Sequence, residues 1–149
     1  MQRTQRFTFS LCLSFALLAA TFTGCESGMT LYDIPGSISI DGAAPEGATV
    51  MFHPTNDKLG YVATANVGSD GKFKILCNAK PGIPEGSYKV TVTWPDPSKK
   101  PTQQQMMTGL VDDAPDLLKG AYAGKASTPL TMDVTPSMKE LPPIEIKTK

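Results

Sequence analysis

The residues that could do chemistry in this chain are few, and the types that most enzymes combine do not occur together. His53 is the single histidine, and the only arginines are Arg3 and Arg6. One histidine cannot both activate a nucleophile and join a metal-binding cluster, and no Ser/His/Asp or Cys/His arrangement can be proposed around it. We therefore predict a protein that is not an enzyme, with no cofactor and no metal site. His53 is expected at the surface or rim, where a strand ends.

Carboxylates could instead bind calcium through their oxygen atoms. Several occupy turn or loop positions, namely Asp57, Asp70, Asp112, Asp113 and Asp116. None of them belongs to the Asp-x-Asp-x-Asp-Gly spacing of a calcium loop. Asp70 precedes Gly71, a pair typical of a tight turn, because glycine readily takes a positive φ. The sequence therefore predicts turns and a solvated loop at these positions.

Trp94 is the candidate ligand-binding residue, since a flat aromatic face can stack on a sugar ring. It is the sole tryptophan of the chain. Its alternation with Tyr88 and Val92 predicts that it faces the core. Its place at the end of a predicted strand, beside Pro95, leaves a position at the rim open.

The N-terminal segment has the pattern of a targeting signal. Arg3 and Arg6 precede the apolar run 7–20, which is too short to span a bilayer as a finished helix. Thr21-Phe22-Thr23-Gly24-Cys25 follows and resembles the lipobox of bacterial lipoproteins, with Phe22 where leucine is preferred. The resemblance implies that 1–25 is a lipoprotein signal peptide and that acylated Cys25 anchors the protein to a membrane of the cell envelope, at a periplasmic or outer face. An ordinary secretory signal and an uncleaved anchor are the alternatives.

Without residues 1–25 the chain has 124 residues, enough for one domain. Removing both arginines leaves 12 lysines against 14 acidic residues, a net charge of −2. The absence of arginine and of a basic patch argues against nucleic-acid binding. With Cys12 removed and Cys25 acylated, Cys77 stands alone, so no internal disulfide can form. Cys77 shares the alternation of Phe73 and is predicted to be a buried, inert thiol.

After a short tether at 26–33, apolar and polar residues alternate in short runs between Gly, Pro and Asp turns. Seven such runs lie at 37–41, 48–52, 61–67, 72–75, 87–94, 130–134 and 143–147. They predict an all-β fold, a seven-stranded antiparallel β-sandwich over 34–149. Run 37–41 is expected at a sheet edge, where it could pair with another chain. Helical periodicity is confined to a turn or two around 113–122.

The exception is a long irregular excursion at 95–128, which contains no predicted strand. It holds several prolines, the polar run 103–105 and Met106-Met107. A loop of this length in a compact domain is usually either functional or disordered. Both interpretations stay open for this segment.

Several short segments of the chain resemble the transthyretin-like (prealbumin-like), carboxypeptidase regulatory-like domains of secreted bacterial lipoproteins. They lie at 36–38, 41–42, 46–54, 69–73, 84–92 and 127–130. The resemblance implies a seven-stranded sandwich used as an accessory or binding module. The family includes a hydrolase that needs several histidines and an arginine, which this domain lacks. In the phrase Gly86-Ser87-Tyr88, the tyrosine hydroxyl is expected to reach the backbone, as at sandwich corners.

These observations predict a membrane-anchored envelope lipoprotein that acts as a non-enzymatic binding module. Its partners would be membrane lipid, through Cys25, and an envelope protein or polysaccharide, through 95–128 or a sheet edge. The alternative is a carbohydrate-binding module of the envelope, which would need Trp94 or Tyr61 exposed beside polar groups.

Overall fold

A computed structural model describes residues 29–56, 59–99, 102–108 and 114–148. The fold is all-β, as predicted, and each of the seven predicted runs forms a strand. The strands are β1 (Gly36–Ile40), β2 (Thr49–Pro54), β3 (Ala63–Val67), β4 (Lys72–Cys77), β5 (Lys80–Pro81), β6 (Gly86–Thr93), β7 (Thr131–Val134) and β8 (Ile144–Ile146). A 3₁₀ turn at Pro97–Lys99 and one short helix, α1 (Gln103–Thr108), lie between β6 and β7.

The strands form one hydrogen-bonded path that curls into a half-barrel. Its order is β7-β6-β2-β3-β4-β1-β8, with the two-residue β5 beside β4. Neighbouring strands run antiparallel except β1 and β8, which are parallel. The architecture thus differs from the predicted seven-stranded antiparallel sandwich in its eight strands, its parallel pair and its continuous path. Alternation within a run cannot report the direction of the neighbouring strand, which explains the difference.

Strand β1 changes partner along its length. Gly36 and Ser37 pair with β4, whereas the second half, from Ile38, pairs with β8. The expectation of an edge strand at 37–41 is therefore wrong, because β1 lies between two neighbours. Gly71 makes the change possible: it has φ 76° and its carbonyl accepts the Ile38 N–H at 2.9 Å. A Cβ on Gly71 would lie 2.8 Å from the Ile38 carbonyl oxygen, so only glycine fits there.

The side chains that alternate towards the inside of the curl form one hydrophobic core. Phe52 lies at its centre, with its ring centroid 6.2 Å from those of both Phe73 and Tyr88. The Phe52 and Tyr88 rings meet at 85°, the edge-to-face arrangement that aromatic quadrupoles favour. Burying each of these large side chains contributes about 1.5–3 kcal/mol to folding.

The hydroxyl of Tyr88 lies within this core, next to the hydroxyl of Tyr61. Its hydroxyl donates to the Pro84 carbonyl at 2.8 Å and lies 3.0 Å from the Tyr61 hydroxyl. The expectation that this tyrosine reaches the backbone is confirmed. Burial and the Tyr61 hydroxyl together raise the pKa of Tyr88 well above its usual range, so the phenol stays neutral.

Strand β6 is longer than β7, and irregular chain completes its second edge. The N–H groups of Val90 and Val92 donate to the carbonyls of Leu130 and Tyr122, each at 3.0 Å. The helical turn expected around 113–122 is wrong, since the chain there makes successive turns from 117 to 123. Its backbone bonds to β6 rather than only to itself, and a weak local preference cannot compete with that pairing.

We predict that Tyr88→Phe lowers the free energy of unfolding by about 1–3 kcal/mol, because the Pro84 carbonyl and the Tyr61 hydroxyl lose a buried partner. Urea unfolding followed by circular dichroism measures the change. Tyr122→Phe is the matched control, since the half-buried Tyr122 ring has no hydrogen bond through its hydroxyl in the described structure. Equal losses in the two variants would contradict the role given to the Tyr88 hydroxyl.

Candidate binding cleft

Not all of the predicted site residues can be located. Cys25 lies outside the described residues, as do Asp57, Asp112 and Asp113. Within the ranges that the structure describes, no three His, Cys, Asp or Glu side chains come together in a way that could hold a metal ion. The same ranges contain no helix with the length and apolarity needed to cross a membrane.

His53 lies on the outer face of β2, half-buried. Its Nε2 is 3.0 Å from the hydroxyl of Thr91 on the adjacent β6. Burial and, to a smaller extent, the positive charge of Lys125 lower the pKa of His53, so the neutral ring is favoured near pH 7. Its described contact is with a hydroxyl, and this makes His53 a cross-strand contact of the sheet.

Cys77 ends β4 with its side chain in the core, as predicted. It is 1% exposed and its thiol is free. Burial raises the pKa of the Cys77 thiol and so disfavours the reactive thiolate. The residue fills space in the core.

Trp94 lies directly after β6, half-buried against the core. Its indole Nε1–H donates to the Glu46 carbonyl at 3.3 Å. Its backbone is also held, because the Trp94 N–H donates to the Asp116 carboxylate and its carbonyl accepts from the Leu117 N–H, both at 2.8 Å. Trp94 therefore lies at a corner of the chain where Asp116 and Leu117 hold its backbone.

Asp116 organises this corner. One carboxylate oxygen accepts from the N–H groups of Trp94, at 2.8 Å, and Leu118, at 3.1 Å, while the other accepts from Gly120 at 2.9 Å. Both carboxylate oxygens are thus engaged by the chain itself. The sequence indicated a turn at Asp116 but not its distant partner, because nothing local marks a contact across 22 positions.

The excursion 95–128 divides at this corner. Pro95 and Asp116 form an isolated bridge, and the Asp96 N–H donates to the Pro115 carbonyl at 3.0 Å. Between them the structure describes the 3₁₀ turn at Pro97–Lys99 and α1. The remainder runs along β6, where the buried Thr128 hydroxyl donates to the Val90 carbonyl at 2.7 Å. The part after Asp116 therefore completes the sheet beside β6.

A cleft lies on the open side of the half-barrel, between the two strands that end the sheet path. It has a volume of about 560 Å³ and is lined by residues of both β7 and β8. Its floor is apolar, with Leu130 and Met132 on one side, Ile144 on the other and Met138 from the connecting segment. An open cleft of this volume with an apolar floor could accommodate part of a ligand.

The rim of the cleft is polar and acidic. Thr131, Asp133 and Glu145 line it, and all three are exposed. The Ser87 hydroxyl donates to the Asp133 carboxylate at 2.5 Å. Sequence reasoning missed this site because it could not tell that the last two predicted strands become opposite ends of one curled sheet.

We predict that Asp116→Ala destabilises the domain by about 1–3 kcal/mol, since three backbone N–H groups lose a charged acceptor. Urea unfolding measures this change. Hydrogen exchange should also speed up at the Trp94 amide. Asp96→Ala is the matched control: the Asp96 carboxylate accepts only from nearby Ser98 at the surface, so a loss of about 0.5 kcal/mol or less is expected. A Trp94 amide that keeps its protection in Asp116→Ala would refute the role of Asp116.

Comparison with known proteins adds no family assignment to this geometry. No protein-family model matches the chain, and no curated protein or solved structure is significantly similar to it.

Proposed function

We propose that this protein is an envelope lipoprotein, anchored by acylated Cys25, whose domain binds a protein partner and performs no chemical step. The cleft between β7 and β8 is the observation that carries the binding role. The run 7–20 and the lipobox-like phrase at 21–25 support the anchor. Two or more acyl chains suffice for stable anchoring, since each buried methylene contributes about 0.8 kcal/mol.

The lining of the cleft suits binding rather than catalysis. Its apolar floor favours burial of apolar groups, and its polar side chains, Thr131, Asp133 and Glu145, lie at the rim. Asp133 and Glu145 are the two carboxylates of its lining, and both are exposed. Neither His53 nor Cys77 lines the cleft.

The proposed anchor would hold the domain close to the membrane. Tyr32 is the first described residue paired with the body of the domain, through reciprocal backbone bonds with Ile83 at 2.9 and 3.0 Å. Six residues separate Cys25 from Tyr32, and such a stretch extends to about 25 Å at most. The proposed anchor would therefore keep the Tyr32 end of the domain within this distance of the lipid surface.

A relation to transthyretin-like sandwiches is part of the proposal. It is supported by the turn and strand segments at 46–54, 69–73 and 84–92, which overlap β2, β4 and β6. The Tyr88 hydroxyl on the Pro84 carbonyl also fits a sandwich corner.

A carbohydrate-binding module is the second candidate, and the partial exposure of Trp94 favours it. The ring is half-buried rather than enclosed, at the end of β6. A change in the fluorescence of this single tryptophan on adding cell-wall glycan fragments would support this candidate. An unresponsive Trp94 would count against it.

We predict that Cys25→Ala yields a chain that stays unprocessed or leaves the membrane fraction, because the acceptor thiol for acylation is gone. Cell fractionation and the mass of the N-terminal peptide provide the measurement. Cys12→Ala is the matched control, since it removes a cysteine from the same segment and should change neither result. If the Cys25→Ala protein is still processed and still attached to the membrane, the proposed lipid anchor is contradicted.

We predict that a photoreactive benzoylphenylalanine at position 131, on the rim of the cleft, captures a discrete protein in intact cells. The same group in place of Lys74 on the outer face of β4, or of the 84% exposed Met107 on α1, serves as the control. Capture from position 107 alone would place the binding surface on α1 instead of at the cleft. If no position gives an adduct, a protein partner is contradicted and the carbohydrate candidate gains.

A further inference from the structure

We infer that the cleft accepts a short, extended segment of a partner polypeptide, which adds a strand between β7 and β8. This inference deepens the proposed binding function and rests on it. Within the described chain β7 pairs only with β6, and β8 only with β1. The two strands that line the cleft are thus the two free edges of one sheet.

The backbone of β7 offers hydrogen-bonding groups to the cleft. The Val90 N–H donates to the Leu130 carbonyl, and β6 and β7 pair antiparallel from that point. Since bonded and non-bonded pairs alternate in such a ladder, Met132 turns its N–H and carbonyl towards β6. Thr131 and Asp133 therefore direct theirs to the free edge.

Strand β8 does the same from the opposite side. The Asp41 N–H donates to the Ile146 carbonyl at 2.9 Å, which fixes the phase of the parallel ladder. Ile144 and Ile146 turn their backbone groups towards β1, so Glu145 directs its N–H and carbonyl to the free edge. Pro143 has no N–H, and this limits pairing on that side to the region of Glu145.

An extended polypeptide is the ligand class that matches both edges. It carries alternating N–H and carbonyl groups along each side, whereas a lipid tail has none and a sugar lacks their regular spacing. The four residues of β7 span about 13 Å at 3.3 Å per residue. A segment of about four to six residues would therefore cover the edge.

The side chains around the cleft indicate which sequence would enter. Alternate residues of an inserted strand would face Met132, Met138 and Ile144, and these should be apolar. The residues between them would lie beside Asp133 and Glu145, which favours lysine or arginine. The same two acids oppose pairing with a second copy of this chain, whose own free edges carry like charges.

The test uses the full chain purified in detergent and a six-residue peptide in which lysine and valine alternate, capped at both ends. Fluorescence anisotropy of the labelled peptide measures affinity. Residue-resolved hydrogen exchange should slow at the amides of Thr131, Asp133 and Glu145 when the peptide binds. A peptide of the same composition with three lysines followed by three valines is the control for pattern.

N-methylation of the peptide tests the backbone hydrogen bonds separately from the side-chain contacts. Neighbouring N–H groups of an extended chain point to opposite sides, so methylating the lysine amides blocks one edge and methylating the valine amides blocks the other. Each modification should weaken binding at least about tenfold. In the protein, Thr131→Pro removes an outward N–H without touching the β6 ladder and should have a similar effect.

A charge exchange tests the inference without depending on that proline. The double variant Asp133→Lys and Glu145→Lys should reverse the preference, binding a peptide of alternating glutamate and valine more tightly than the lysine peptide. Equal binding of methylated and unmodified peptides would overturn strand addition, as would unchanged exchange at the three amides. Either result leaves capture from position 131 standing, so failure of the strand and failure of the binding function remain distinguishable.

Discussion

Backbone hydrogen bonding along the second edge of β6 sets the path of much of the chain around it. This eight-residue strand has β2 along one side, and its buried N–H groups need acceptors on the other. The four-residue β7 supplies only some of them. The carbonyl of Tyr122 and the carboxylate of Asp116 complete the row, and in doing so they fix the path of a segment with no regular structure of its own.

The same constraint shapes the cleft. Within the described chain, β7 and β8 each pair along one edge only, with β6 and β1, and they do not pair with each other. The half-barrel therefore keeps two free edges on its open side. Charged side chains at an exposed edge are a common defence against unwanted pairing, and Asp133 and Glu145 occupy such positions. The proposed strand addition makes this defence selective, since a basic segment would be tolerated where an acidic or identical edge would be repelled.

Polar groups in the interior are few, and each has a partner. Among the described residues no buried side-chain nitrogen or oxygen lacks a hydrogen bond. Tyr88 and Tyr61 satisfy one another together with the Pro84 carbonyl, and Thr128 serves β6. Leaving one of these buried groups without its partner would cost about 1–3 kcal/mol. These hydrogen bonds therefore stabilise the interior.

Local sequence patterns were enough to predict all seven of these strands, their buried faces, the inward position of Cys77 and the backbone contact of Tyr88. These follow from alternation and turn residues, which act over a few positions. The six-residue α1 was missed because so short a helix shows little periodicity. Four features arise only in the folded chain: the partners of β1, the parallel pairing of β8, the contact of Asp116 with Trp94 and the cleft. Each depends on segments distant in the chain meeting in one register, which no local pattern encodes.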